Sequence, residues 1–478
     1  MTLRDKKITV VGLARSGVGA ANLLAGLGAL VTVTDRKEAK DLGKFITQLN
    51  PAVRPVLGSH PDDLFLNADM IVVSPGVSSD LPQLRSAGAR GIPVIGELEL
   101  AYRIIRDSSR ASGRVPHFLG VTGTNGKSTT AALLDFMMKK GGFPTVLGGN
   151  IGYALSGEIV KRGASETGSG QLSVPDYIVA EISSFQLETI SEFRPRGAVI
   201  VNITPDHLDR YPSIREYGDA KARIFENQTG EDFLVINHDD PETVKIMHEK
   251  LAVKHEKPRV FFFSRCGEVE GVYAKEGLIY CRIPALSSVL SALPLIQVDE
   301  IRIQGVHNLE NAMAASAMAL LAGCPLEAVR NSLREFAGLE HRLEFVRESD
   351  GVKYYNDSKG TNVAAVIKSV ESFSGPVILI AGGRDKAGEF SLLRPLVKQK
   401  VKALVLIGEA AGKIRRALGD LTRTFMARDL GEAVQISRDI AAPGDVVLLS
   451  PACASFDMFD NFEDRGRKFK AFVSEIRA

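Results

Sequence analysis

Residues 118–134 read FLGVTGTNGKSTTAALL: an aliphatic run, a stretch of small residues, then a helix-forming pattern. A strand entering a helix through such a turn is a building unit of α/β layers around a parallel sheet. The small residues let successive backbone N–H groups face an anion, and the helix N-terminus adds its partial positive charge. Lys127 is placed to reach the outer phosphates of a nucleotide, and Ser128 or Thr129 to offer a hydroxyl to Mg²⁺. The strict GxxxxGK[ST] spacing is not met, because Val121 stands five before Gly126 and the available glycines are Gly120 and Gly123. An ordinary glycine-rich turn is the alternative. The intact Gly-Lys-Ser between strand and helix favours a triphosphate cradle built from Gly123, Thr124, Asn125, Gly126, Lys127, Ser128 and Thr129.

The same alternation recurs along the chain. ITVVGL, LVTVTD, DMIVVSPGV and IPVIGELEL read as strands of an opening segment, with a helix from about Val18 to Leu27. The stretch 103–114, RIIRDSSRASGR, is basic and small without a clear apolar period, so it reads as a loop with a domain boundary at it or just before. DYIVAEIS, GAVIVNIT and DFLVINHDD are buried-strand candidates of a middle segment. Residues 161–175 read as a surface loop, 258–304 as short β pieces, and HNLENAMAASAMALLAG as a strong helix. From about Gly338, PVILIAGG, KALVLIGE and DVVLLSPACAS each stop at glycine or small polar residues, and open α/β sheets bind ligands at such strand ends. At 478 residues, and roughly 150 residues per domain, the expected architecture is α/β in three domains. These are a Rossmann-like N-terminal domain (1–96), a central P-loop ATPase-like domain (97–338) and a C-terminal Rossmann-like α/β domain (339–478).

Lysine and arginine total 59 against 57 acidic residues. That balance leaves no basic excess for a nucleic-acid or membrane surface. No apolar run approaches the ~18 residues of a membrane span, and the N-terminus shows no secretory apolar region. Cys266, Cys281, Cys324 and Cys453 lack metal-ligand spacing and read as thiols of a reducing compartment. A soluble, cytoplasmic monomer is expected.

A second glycine turn, VVGLARSGVGAANLL, precedes VTVTD. It resembles a Rossmann first turn with Asp35 near the usual acidic position, yet Gly12, Gly17 and Gly19 do not form GxGxxG. Three readings stand: a structural turn, an NAD site, or a nucleotide-sugar diphosphate at the helix end. A ligase spending ATP on a UDP-linked substrate uses both glycine turns, whereas an NAD enzyme leaves the P-loop idle.

Glu181 in AEISSFQLE ends an apolar strand, where a carboxylate can hold Mg²⁺ through oxygen. His207 in NITPDHLDRY follows the next strand end. Each alone is a cap, an ion-pair partner or a structural histidine; beside a P-loop both gain a functional reading.

TGTNGKS, EISSFQLE, NITPDHLDRY and AKARIFENQ, in this order, resemble the Mur ligase family, and within it the members that add D-glutamate. GVHNLENAMAA, GLEHRLEFV, YYNDSKGTN, GGRDKAGEF and SPACASFDMFDNFEDRG extend the resemblance to the C-terminus. The resemblance implies an ATP-dependent ligase that adds D-glutamate to UDP-N-acetylmuramoyl-L-alanine through an acyl phosphate, in peptidoglycan precursor synthesis. It places Lys221 as a carbamoylated lysine helping a second Mg²⁺, and Ser128, Glu181 and His207 around the metals. It assigns Asn311, Arg342 and Asp357 to ATP, and Lys359, Thr361, Lys386, Ser455 and Phe462 to D-glutamate. Arg15, Ser16, Asp35, Arg36, Lys37, Asn150 and His207 then fall to the UDP substrate. Closure of the last domain onto the middle one is expected before chemistry. The rivals are the sister Mur ligases, folylpolyglutamate synthase, an NAD-dependent dehydrogenase and a nucleotide-regulated binding module.

Overall fold

The structure is a computed structural model. It describes all residues except 1–2, 79, 113–114, 151–153, 166–174, 208–209, 285, 287–291, 304, 386–387 and 477–478. The chain forms two compact units, one of residues 1–301 with 307–335 and one of residues 302–306 with 336–478.

The first unit contains two sheets. In the smaller, five parallel strands run in the order third, second, first, fourth, fifth along the chain. Lys7–Val11 is central, between Leu30–Asp35 and Met70–Val73. The helix Arg15–Gly26 starts three residues earlier than expected from the apolar pattern, because Arg15 and Ser16 belong to its first turn. A Cβ at Gly17 would stand 2.0 Å from the Gly12 carbonyl oxygen, and one at Gly19 would stand 2.7 Å from Ser156 Oγ. The three glycines thus serve close packing of the first turn and of its helix against the helix Leu155–Ser165.

The larger sheet has nine strands. His117–Thr122 pairs in parallel with Tyr177–Glu181 and with Gly197–Ile200. Phe233–Asn237 and Arg259–Ser264 continue the parallel arrangement, and Leu278–Arg282 and Leu293–Gln297 close one side as antiparallel strands. The strands lie in the 258–304 stretch as expected. The helix Lys127–Lys140 starts beyond the carboxyl end of His117–Thr122.

Three sequence expectations fail here. IPVIGELEL is a strand only over Val94–Gly96, and the loop expected at 103–114 is helical to Ser112, within the helix Glu97–Ser112. The apolar stripe of that helix, Leu98, Leu100, Ala101 and Ile104, lies in its first half and is fully buried or nearly so. Its acidic residues point inward. Glu99 accepts from the backbone N–H groups of Ser191, Glu192 and Phe193, and Arg103 and Arg106 pair with Glu192. A helix can therefore look polar in sequence and still be anchored, because buried charges satisfied by backbone donors replace apolar side chains. Residues 161–165 of the expected surface loop are likewise helical, within Leu155–Ser165; residues 166–174 lie outside the described residues.

The second unit is a six-stranded sheet, with Val352–Asn356, Val446–Leu449, Val377–Gly382 and Val401–Ile407 adjacent and parallel. Apolar clusters cover both faces of this sheet, as a buried parallel sheet requires. Among the described residues, no helix is long and apolar enough to cross a membrane.

Candidate active site

The P-loop leaves the strand His117–Thr122 and enters the helix Lys127–Lys140 through Gly126, whose φ is +82°. A Cβ on Gly126 would stand 2.2 Å from Asn311 Oδ1, so both backbone and space demand glycine. Asn202 clamps the loop from the next strand end. Its side-chain oxygen accepts from Asn125 N at 2.9 Å, its amide donates to the Asn125 carbonyl, and its own carbonyl accepts from Thr124 N. Nothing in the sequence pattern singled out Asn202; its signal was the position just beyond a buried strand. Ser128 and Thr129 lie in the first helical turn and are buried. Asn311, on the helix Val306–Leu321, receives a hydrogen bond from the Thr130 hydroxyl at 3.2 Å.

Two lysines meet at one carbonyl. Lys127 Nζ donates to Gly123 O at 2.9 Å and Thr124 O at 2.8 Å, while Lys221 Nζ donates to the same Gly123 O at 2.8 Å. Lys221 is 1% exposed, and its ammonium lies 4.3 Å from the Tyr217 ring centroid. Burial, and then the neighbouring charge of Lys127, push its pKa well below the usual lysine value, against the opposing pull of Asp206 and Glu181. Glu181 ends the strand Tyr177–Glu181 and is buried. Its Oε1 accepts from Asn150 Nδ2 at 2.9 Å, and its Oε2 has no hydrogen-bond partner among the described residues. A buried carboxylate oxygen without a donor is expensive unless a cation takes it. His207 has φ +53°, and its exposed ring meets the Phe185 ring at a centroid distance of 4.9 Å. Asp206 and Tyr217, both unmarked by the sequence reading, belong to this neighbourhood.

The N-terminal sheet opens on a cavity of about 950 Å³ at the carboxyl ends of its strands. Arg15, Ser16, Asp35, Arg36, Lys37 and Asn150 all line it. Asp35 is not free to take a ligand hydroxyl unaided: its Oδ2 accepts from Leu13 N at 2.7 Å and its Oδ1 from Lys37 N at 2.9 Å. The carboxylate thereby fixes the glycine turn and the turn carrying Arg36 and Lys37.

In the second unit the expected residues gather at the carboxyl ends of Val352–Asn356, Val446–Leu449 and Val377–Gly382. Lys359 holds its ammonium 5.3 Å from the Phe462 ring centroid, and Thr361 N donates to the Lys359 carbonyl. Ser455 is buried, and Phe462 opens the helix Phe462–Ser474. Lys386 lies outside the described residues. The fully buried Arg465, again not foreseen, ties the loops together. It donates to Ser358 Oγ and Ser358 O at 3.0 and 2.8 Å, and to the carbonyls of Cys453 and Ala454. Arg342 sits between two residues with left-handed backbone, His341 at φ +66° and Leu343 at φ +43°. Glu340, His341 and Glu344 bring ligand atoms within 4.8 Å of one another, but the Lys470 ammonium already bridges both carboxylates and offsets one of their two charges.

Asp357 accepts from the hydroxyls of Ser369 and Ser450 at 2.6 and 2.7 Å. Burial nevertheless pushes its pKa from 3.8 to about 6. A carboxyl whose pKa rises on folding costs stability progressively as pH climbs from the unfolded to the folded value, and the cost is complete above the latter. Here that amounts to about 3 kcal/mol. Asp357→Asn is therefore expected to gain thermal stability relative to the native chain between about pH 4 and pH 6, and to hold that gain above. Melting temperatures across this range check the prediction; a difference independent of pH contradicts it.

Residues 6–96 match the Mur ligase MurD-like N-terminal domain, 121–319 the Mur ligase middle domain, and 341–453 the Mur ligase glutamate ligase domain. The chain is similar to the UDP-N-acetylmuramoylalanine–D-glutamate ligase of Trichlorobacter lovleyi, 47% identical with all of both chains covered. The enzyme of that name from Caldanaerobacter subterraneus subsp. tengcongensis is 42% identical with the same coverage. Among solved structures, the MurF ligase of Thermotoga maritima in complex with ADP aligns with a TM-score of 0.59 at 15% identity, covering 99% of each chain. The UDP-N-acetylmuramate–alanine ligase of Thermotoga maritima aligns at 0.55 and 17%, covering 98% of this chain and all of that one.

Proposed function

We propose, from the premise that this chain belongs to the Mur ligase family in its D-glutamate-adding branch, how its residues divide the work of one reaction. The chain is an ATP-dependent ligase joining D-glutamate to UDP-N-acetylmuramoyl-L-alanine, in peptidoglycan precursor synthesis. The observation that carries the assignment of roles is the convergence of Lys127, Lys221 and Glu181 on the P-loop, next to a sugar-nucleotide-sized cleft.

With Asn202 holding the Thr124 and Asn125 amides, the Gly126 and Lys127 amides and the Lys127 ammonium hold the ATP phosphates, and Asn311 packs against Gly126. Arg342 and Asp357 are assigned to the remainder of ATP. Arg15, Ser16, Arg36 and Lys37 take the UDP diphosphate and sugar, with Asn150 and His207 at the end that carries the alanine carboxylate. That carboxylate attacks the γ-phosphorus, ADP departs, and an acyl phosphate remains. The D-glutamate amine, its carboxylates held by Lys359, Thr361, Lys386 and Ser455 against the Phe462 ring, attacks the acyl carbon. The tetrahedral adduct collapses to amide and inorganic phosphate. Lys127 stabilises the charge that grows on the transferring oxygens, where a fixed cation is worth most.

The donor set fits Mg²⁺. The unpartnered Oε2 of buried Glu181 and the Ser128 hydroxyl are hard oxygen ligands, and His207 lies on the neighbouring strand end. Mg²⁺ held there supplies charge neutralisation of the phosphate oxygens. Lys221 fits a carbamate: its amine is buried, its pKa is depressed, and it faces Glu181 and Asp206. Attack of the neutral amine on CO₂, with loss of one proton, turns a cation into an oxygen ligand.

The test is phosphate release with Mg²⁺-ATP and UDP-N-acetylmuramoyl-L-alanine against a panel of D- and L-amino acids. Release dependent on D-glutamate supports the assignment. Release with L-lysine or diaminopimelate would move the chain to a sister reaction.

A further inference from the structure

We propose that Arg210 is a positioning residue for the ligation: it sets the distance between loop 75–77 of the substrate cleft and the His207 segment. One extended substrate can then reach both. The inference rests on the cleft being the UDP site and on His207 lying at its alanine end.

The central domain fixes the Arg210 side chain first. Arg210 follows His207 in a turn, where the His207 carbonyl accepts from the Arg210 and Tyr211 N–H groups at 3.0 Å. Its Nε and Nη2 donate to the two oxygens of Glu188 at 3.2 and 2.5 Å, and the Tyr211 hydroxyl donates to the same carboxylate. The guanidinium lies 4.3 Å from the Phe185 ring centroid, and that ring also meets His207. A planar fork held by a bidentate carboxylate and a ring face has little freedom left. Its remaining edge faces the N-terminal domain: Nη1 lies 3.4 Å from the Pro75 carbonyl, and Nη2 lies 3.5 Å from that of Val77. Both are long for N–H···O bonds, so the loop rests against a guanidinium already fixed from the other side.

What the loop carries makes this contact matter. Pro75 and Val77 line both the 950 Å³ cavity and a second one of about 310 Å³, to which the central domain contributes Arg210 and Glu188. Bordering two cavities, the loop is short of the close packing that usually holds backbone in place, and a fixed guanidinium supplies a stop. At the start of the loop the Ser74 hydroxyl donates to Gly12 O at 2.9 Å, and the Ser74 carbonyl accepts from Val77 N. The glycine turn leading to Arg15 and Ser16 is thereby joined, through Ser74 and Arg210, to the His207 segment. In the proposed reaction the diphosphate and the alanine carboxylate of one substrate lie at opposite ends of this chain of contacts. A misplacement of about 1 Å at a reacting group can cost about a hundredfold in rate. UDP alone occupies only the N-terminal end and does not sense that distance.

The test is calorimetric binding of UDP and of UDP-N-acetylmuramoyl-L-alanine to the full chain, with steady-state kinetics beside it. Arg210→Met, which keeps an apolar stem over Phe185, is expected to bind UDP within about twofold of the native chain and the full substrate about tenfold more weakly. Its kcat is expected to fall by up to about a hundredfold, with the KM for ATP within about threefold. Arg210→Lys keeps a cation beside Glu188, so its fold does not depend on leaving that carboxylate unpaired. One ammonium cannot span the carboxylate and two carbonyls, so this variant is expected to show the same selective loss. Equal weakening of both ligands in the variants overturns the proposal and leaves Arg210 a support of the fold. So does native affinity for the full substrate in Arg210→Lys. A native chain that binds UDP and the full substrate equally would remove the two-ended cleft, and the proposal with it.

Discussion

Lys127→Met is expected to lower kcat by two to three orders of magnitude while the KM for the UDP substrate stays within about threefold. Lys127 Nζ bridges the Gly123 and Thr124 carbonyls, so its ammonium is already held at the loop that takes the phosphates. Removing one preorganised group of this kind costs about 3–4 kcal/mol of transition-state stabilisation, and each 1.36 kcal/mol is about tenfold in rate. Methionine keeps the stem length and loses only the charge. The helix dipole and the loop amides remain, so ATP affinity is expected to fall less than kcat. Steady-state kinetics with each substrate varied in turn check this. A variant that loses ATP affinity tenfold but keeps its kcat would reduce Lys127 to a binding contact.

The second large effect concerns Lys221. Lys221→Ala is expected to abolish ligation to below about 1% of the native rate, while nucleotide binding persists because Lys127 still holds the Gly123 carbonyl and the Asn202 clamp is kept. The proposed carbamate adds a sharper expectation. In CO₂-depleted buffer the native enzyme loses activity, and bicarbonate restores it; Lys221→Ala responds to neither. Isotope-labelled bicarbonate should give a carbamate carbon resonance in the native chain that the variant lacks. Native activity indifferent to CO₂, with no such resonance, would leave Lys221 as a buried amine that merely holds the Gly123 carbonyl.

Much of this site was legible in the sequence because its residues sit at ends of apolar strands, and those runs are unambiguous. Glu181, His207 and the P-loop were read from strand ends, and the strands Tyr177–Glu181, Gly197–Ile200 and Val377–Gly382 lie where the aliphatic runs predicted. What stayed hidden is of two kinds. Clamping residues such as Asn202 and Arg465 carry no local signature, since their partners are distant in sequence; Arg465 holds Ser358 across 107 positions. The helix Glu97–Ser112 was hidden because its buried polar side chains mimic a loop: Glu97 accepts from both the backbone N–H and the hydroxyl of Ser156.

The most direct test of the account uses UDP-N-acetylmuramoyl-L-alanine carrying ¹⁸O in its carboxylate, with Mg²⁺-ATP and D-glutamate. An acyl-phosphate route predicts one ¹⁸O in each inorganic phosphate released, matched mole for mole by amide product, because the carboxylate oxygen that captured the phosphoryl group leaves with it. Phosphate free of label would mean that water, not the substrate carboxylate, takes the γ-phosphoryl group, and that the P-loop of this chain does not drive the ligation.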